Sequence, residues 1–212
     1  MARWFIARHG ETVFNAARRM QGETAHTPLT RAGFAHAEEI GEALLAALGP
    51  APRLALWASP TGRALQTLAI AAEHLRLDWH SARTDERLSE MDMGGWGGRF
   101  YAEIAEAHGG FVDRTAGLFT CRPPGGEWYD DIARRLRAWI ADTAEEKGDR
   151  LIVMHGISSR VLRGLLIGAA DRPGCGAPVA PPLPQGSVVC VEDGVETVVG
   201  LGSGDLGASG TA

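Results

Sequence analysis

Two short apolar runs, far apart in the chain, end alike. Trp4-Phe5-Ile6-Ala7 gives way to Arg8-His9-Gly10-Glu11, and Leu151-Ile152-Val153-Met154 gives way to His155-Gly156. Runs of this length and composition, cut off by glycine, read as strands. A glycine there lets the backbone turn sharply. Ligands of open α/β sheets bind at the carboxyl ends of the strands, so two strands deliver two histidines and an arginine to one rim.

The intervening sequence alternates helix and strand. Thr30 is an N-cap for a helix reaching Leu48, with Phe34, Ala37, Ile40, Leu44 and Leu48 as its apolar stripe and Gly49-Pro50 as its stop. A buried strand over 54–58 meets Ser59-Pro60, and a helix runs from Thr61 to about Leu75. Residues 88–126 are glycine-rich and lack clear periodicity; they read as an insertion over the rim with one short helix over 101–107. An amphipathic helix over 127–146, the strand at 151 and a helix over 157–167 follow, and 187–199 read as a hairpin turning at Asp193-Gly194. This order predicts a three-layer α/β/α sandwich, a mostly parallel mixed sheet with helices on both faces. One domain spans 1–200, and the Gly-Ser-Ala tail over 201–212 reads as disordered.

Composition removes several function classes. A net charge of −5 argues against nucleic acid as a partner. No stretch approaches 18 unbroken apolar residues and no signal peptide is evident, so a soluble cytoplasmic protein without membrane contact is expected. Cys121, Cys175 and Cys190 are odd in number and form no CxxC pair, which suggests neither a disulfide framework nor a thiolate zinc site. Lys147 is the only lysine, and the wealth of arginine reads as coding bias.

An isolated RHG occurs by chance, and a histidine at a strand end is more often structural than catalytic. The full set is more specific: RHGETVFN at 8–15, MQG at 20–22, SPTGRALQT at 59–67, RLSEMDMGGWGG at 87–98 and VMHGISSR at 153–160, each at a strand end or on a rim loop. In these motifs, over roughly residues 3–200, the chain resembles the histidine phosphatase superfamily, in the branch with cofactor-dependent phosphoglycerate mutases, fructose 2,6-bisphosphatase domains and broad-specificity phosphatases. The resemblance implies His9 as nucleophile, Arg8 and Arg63 as phosphate clamps, His155 as a further phosphate ligand and Glu90 as proton donor. It places Asn15, Gln21 and Gly156 at the phosphate as well, and implies no cofactor.

Physical chemistry agrees with those roles. A phosphomonoester near neutral pH carries close to two negative charges, which planar, permanently charged guanidinium forks match better than lysine. The same charges disfavour protonation of a neighbouring imidazole, whose ordinary pKa of about 6.5 would otherwise leave part of it blocked. One carboxylate can protonate the leaving alkoxide and later take a proton from water. Charge stabilisation of a loose transition state needs no metal here.

Competing readings stand beside these. Two histidines and a glutamate could bind a metal, but there is no HExxH, and flanking arginines repel cations. Glu86 could replace Glu90 as the acid; the family's Leu-x-Glu position selects Glu90, leaving Glu86 structural. Glu11 reads as a brace for Arg or His, Arg18 and Arg19 as a solvated helix face, Trp96 as packing behind Glu90, and His26, His36, His74, His80 and His108 as surface or satisfied histidines. Trp128 and Tyr129 either line the pocket or seal it.

Between Phe100 and Gly126 the only basic residues besides His108 are Arg114 and Arg122, among apolar Ile104, Phe111, Val112, Leu118 and Phe119. That suits a phosphatase pocket better than one binding the carboxylate of phosphoglycerate. The expectation is a metal-independent phosphomonoester hydrolase forming a phosphohistidine on a small phosphorylated metabolite. The alternatives are a cofactor-dependent phosphoglycerate mutase and a binding or regulatory member of the superfamily. A homodimer stays open. Phe14, where Trp is frequent, and Gly97, where an acidic residue is common, bear on substrate shape.

Overall fold

The computed structural model describes residues 2–206. In chain order the elements are β1 (Trp4–Arg8), α1 (Val13–Ala16), α2 (Arg31–Leu48), β2 (Leu54–Ala58), α3 (Gly62–His74), β3 (Arg83–Thr84), α4 (Tyr101–His108), β4 (Val112–Asp113), β5 (Leu118–Phe119), α5 (Tyr129–Asp142), β6 (Asp149–Met154), α6 (Gly156–Leu166), β7 (Val188–Glu192) and β8 (Val195–Gly200). The main sheet has the order β3-β2-β6-β1-β7-β8. Its first four strands run parallel, while β7 is antiparallel to β1 and β8 to β7.

Strand alternation sends successive residues to opposite faces. Phe5, Ala7, Leu56, Ala58, Leu151 and Val153 pack with Ile40 and Leu44 of α2 and Leu68 and Ala71 of α3. Ile6, Trp57, Ile152 and Met154 pack with Leu136 and Trp139 of α5 and Val161 of α6. The expected three-layer sandwich is therefore present. Its parallel strands register Arg8 opposite Met154 and Ala58 opposite Val153, so β1, β6 and β2 end together.

Four details differ from the sequence expectation. Phe34 lies at the margin of the α2 stripe and is 45% exposed; Gly33, His36 and Gly41 share the buried face with Ala37, Ile40 and Leu44. The insertion holds a two-stranded hairpin, β4–β5, in addition to the helix, and α5 starts at Tyr129 because Glu127 turns back to pair with Arg135. Gly10 adopts no positive φ. It is required by space instead: a Cβ there would lie 2.1 Å from the Gly33 carbonyl oxygen, where the loop after β1 crosses the start of α2.

The fourth difference is the tail. Residues 201–206, expected to be disordered, fold back along the rim. Gly202 N–H donates to Ser187 Oγ at 2.9 Å, Gly204 N–H to the Gln185 carbonyl at 3.0 Å, and Gln185 N–H to the Asp205 carbonyl at 3.1 Å. The remainder of the expected tail, 207–212, lies outside the described residues. Among the described residues no helix is long and apolar enough to cross a membrane.

Candidate active site

The strand ends build the site. The His9 amide continues the β1–β6 ladder by donating to the Met154 carbonyl at 2.9 Å, and Ser59 N–H donates to the Val153 carbonyl at 3.1 Å. The His9 loop is clamped further: Gly10 N–H donates to Thr67 Oγ1 of α3, Thr30 N–H to the Glu11 carbonyl, and Thr30 Oγ1 to Glu11 Oε1. The Glu11 carboxylate thus braces the start of α2, not an arginine or a histidine.

Hydrogen bonding fixes both imidazoles. His9 Nδ1 lies 2.7 Å from the Gly10 carbonyl, which can only accept, so Nδ1 carries the proton. Burial, then the charges of Arg63 and Arg8, push the His9 pKa well below 6.5. The ring is therefore neutral, with a free lone pair on Nε2. His155 is the converse. Arg63 Nε–H donates to its Nδ1 at 3.2 Å, and burial, followed by Arg63 and His9, pushes its pKa well below 6.5. The remaining proton sits on Nε2, a buried donor without a partner among the described residues. The two rings are 5.1 Å apart, edge to face.

The Arg8 guanidinium makes no hydrogen bond among the described residues, and its Nε is buried without a partner. The guanidinium lies over Gly156, where a Cβ would meet Cζ and Nε at 3.4 Å. Burial lowers its pKa, and the nearby Glu90 charge opposes that. An unpartnered buried guanidinium is costly unless an anion completes it.

Glu90 is held by the first turn of α6. Its Oε2 accepts from Ile157 N–H at 3.0 Å, and Oε1 from Ser158 N–H at 3.0 Å and Met91 N–H at 2.9 Å. Helix α6 has no side-chain cap of its own, so Glu90 supplies the acceptors that this helix end lacks.

The structure places Arg8, His9, Asn15, Gln21, Glu90 and Gly156 on the wall of one pocket. His155 and Arg63 are fully buried beside it, with the His155 ring against His9. Arg63, expected as a direct clamp, is fully buried, with its fork committed to the Gly22 carbonyl at 2.7 Å, the Thr24 carbonyl at 2.6 Å and Thr27 Oγ1 at 3.2 Å besides His155. Its geometry orients His155 and anchors the 22–27 loop; burial brings its pKa down to about 10. Gln21 Oε1 accepts from Thr12 Oγ1 at 2.6 Å, which leaves its amide donors for the pocket, and Asn15 closes the capping box of α1 while bonding Gln185.

Sequence reasoning missed two pocket residues and misread a third. Tyr101 and Arg160 line the pocket. Arg160 donates to the carbonyls of Ala116, Gly117 and Ala180, pinning the β4–β5 hairpin to α6. Arg19 is no solvated helix face: its guanidinium stacks on Phe14 and Phe100, and its Nε donates to the Gly98 carbonyl at 2.8 Å. The aromatics at 14 and 100 were the available signal. Trp96 is buried against Phe111 and Phe119 as expected, Tyr129 is buried with its hydroxyl accepting from Phe119 N–H, and Trp128 bonds the Gly174 carbonyl. Those last two seal the core and do not line the pocket. Of the remaining histidines, His36 receives the Glu11 amide, His74 pairs with Glu38 and His108 packs on Trp96.

Known proteins are similar to this chain in sequence and in fold. The protein named Probable phosphoglycerate mutase GpmB of Salmonella paratyphi C is 33% identical over 171 residues, covering 79% of this chain and 76% of that protein. A 6-phosphofructo-2-kinase/fructose-2,6-bisphosphatase of Caenorhabditis elegans is 32% identical over 170 residues, 80% of this chain but only 34% of its own length. Among solved structures, YhfR of Bacillus stearothermophilus superposes with a TM-score of 0.71 at 27% identity, covering 97% of this chain and 99% of that one. A mycobacterial glucosyl-3-phosphoglycerate phosphatase in complex with VO3 gives a TM-score of 0.74 at 25% identity over 96% of this chain and all of that one, 100%. The family model of the histidine phosphatase superfamily (branch 1) matches residues 4–181, and the chain belongs to that superfamily.

Proposed function

We propose that the protein is a metal-independent phosphomonoesterase that works through a phosphohistidine at His9. The observation that carries this reading is the pair of opposite tautomers: a neutral His9 with its lone pair on Nε2, beside a neutral His155 whose Nε2 is a donor. The first is a nucleophile and the second a ligand for a phosphoryl oxygen.

In the reaction the His9 Nε2 lone pair forms the N–P bond as the ester P–O bond breaks. Arg8, His155 Nε2–H and the Gln21 amide offset charge on the phosphoryl oxygens, and Glu90 passes a proton to the leaving alkoxide. Water then attacks phosphorus; Glu90 accepts its proton, the N–P bond breaks, and phosphate leaves. Of the two outcomes open to a phosphohistidine, transfer to water is favoured here by the sparse basic residues of the insertion, where Arg122 is engaged with Asp131 and Arg114 alone faces the substrate side. The free cysteines fit a reducing compartment such as the cytosol.

The test is phosphate release in EDTA from a panel of aryl, sugar and three-carbon phosphomonoesters, with His9→Ala as control and labelled phosphoenzyme trapped in parallel. His9-dependent release supports the reading. Labelled phosphoenzyme that transfers to phosphoglycerate without release to water establishes the mutase instead, and binding without label establishes a binding protein. Activity lost to EDTA and restored by magnesium would overturn the metal-independent mechanism.

A further inference from the structure

A second chamber of about 450 Å³ adjoins the phosphate pocket and shares Arg8, Asn15, Arg19 and Tyr101 with it. That volume lies in the range that encloses a drug-sized ligand, and a three-carbon acid would leave most of it to water. One wall is apolar and rigid. Tyr101 and Phe111 sit with ring centroids 5.8 Å apart, and Phe111 is braced from behind by Trp96 at 5.2 Å and by a parallel stack on Phe119 at 6.1 Å. Ala102 and Ala105 of α4 continue that wall with short side chains.

The polar part of the lining is cationic, with Arg8, Arg18, Arg19 and Arg114 against the single acid Asp205. Three of these arginines have other work. Arg8 faces the transferred phosphoryl group, Arg18 has contacts of its own, and Arg19 is fixed between two rings. Arg114, on the turn between β4 and β5, has no ion pair or hydrogen bond among the described residues. Its backbone is nonetheless held in place, because Arg160 grips the adjacent carbonyls of Ala116 and Gly117.

We propose that this chamber receives the leaving group, and that the substrate is the phosphomonoester of a ring-bearing alcohol, with a flat apolar face on Tyr101 and Phe111 and a second anionic group at Arg114. This rests on the hydrolase reading of the adjoining pocket. Aromatic walls favour offset or edge contacts with a ring, and a guanidinium on a turn favours a carboxylate or phosphate.

The proposal is tested by calorimetric binding of non-hydrolysable phosphonates: methylphosphonate, naphthylmethylphosphonate and a carboxylated naphthylmethylphosphonate. The ring should raise affinity by about tenfold or more over methyl, and the carboxylate by roughly a further threefold to tenfold. Ala105→Trp, which fills the chamber from an exposed helix position, should collapse the ring-to-methyl ratio, and Arg114→Gln should collapse only the carboxylate gain. A ring-to-methyl ratio near one, or one that Ala105→Trp does not change, overturns the chamber assignment; a carboxylate without effect overturns the role of Arg114. An affinity ladder without turnover of any phosphomonoester overturns the hydrolase reading while the chamber stands. Turnover with a flat ladder does the reverse, and failure of every phosphonate to bind overturns both.

Discussion

Glu90→Gln separates the helix capping that this carboxylate performs from the proton donation proposed for it. In the native protein its two oxygens accept three backbone N–H groups, from Met91, Ile157 and Ser158, at 2.9 to 3.0 Å. A glutamine in the same place has one acceptor oxygen and one NH2. Its better orientation keeps the oxygen on Met91 and Ser158 and turns a donor against the Ile157 donor. One half-buried N–H left without an acceptor costs about 1–3 kcal/mol. Loss of a negative charge at the start of α6 costs about 0.3–1 kcal/mol more. Together these give roughly 1–4 kcal/mol, and for a chain of this size a fall in melting temperature of roughly 3–15 °C. Catalytically, loss of the proton donor should slow alkyl phosphates by about 100-fold or more, while aryl phosphates, whose leaving groups scarcely need protonation, should lose far less. Thermal unfolding followed by circular dichroism, with kcat/KM on paired aryl and alkyl substrates, reads both effects. An unchanged melting temperature would refute the capping role, and equal kinetic losses on the two substrates would refute the acid.

Arg8→Lys keeps the charge but loses the fork, and kcat/KM should fall by about 100-fold; a loss of less than about fivefold would show that charge alone suffices. Gly10→Ala drives a Cβ to 2.1 Å from the Gly33 carbonyl, so the unfolding free energy from urea titration should fall by about 1–3 kcal/mol, and a neutral result would mean the loop can lift from α2. Burial pushes the pKa values of His9 and His155 well below 6.5. Below about pH 6.5 the unfolded chain therefore binds protons that the native imidazoles refuse, so stability falls with falling pH, by about 1.4 kcal/mol per unit for each histidine while it stays neutral. Urea midpoints between pH 7 and pH 5 should show a shallower decline in His9→Asn, and equal slopes would contradict a neutral buried His9.

The sheet and the rim were legible because strand ends are marked locally: an apolar run stops at a charged or glycine residue within a few positions, as at Arg8-His9-Gly10 and Met154-His155-Gly156. Contacts between distant segments leave no such mark. Nothing near Gly10 announces that Gly33 will cross it, and nothing near Arg63 announces that the Gly22 and Thr24 carbonyls will occupy its fork. The β4 and β5 strands are two residues each, too short for any alternation to register, and their pairing depends on Phe111 and Phe119 packing on Trp96. The arginine content carried more than coding bias: Arg63, Arg150, Arg160 and Arg163 are all buried, each bonded to backbone carbonyls that loops would otherwise leave unsatisfied. Such forks suit irregular backbone, which hydrophobic periodicity cannot describe.

The returning tail has a practical consequence. Asp205 lines the larger chamber and Leu206 the phosphate pocket, so a segment inserted directly after Leu206 starts at the mouth of the site. An affinity tag or reporter placed directly after Leu206 would sit where substrates enter, and kinetic constants from such a fusion would describe the tag as much as the protein. Joined instead ahead of β1, which begins at Trp4, at the other end of that strand from Arg8, the same tag stands clear of the chemistry.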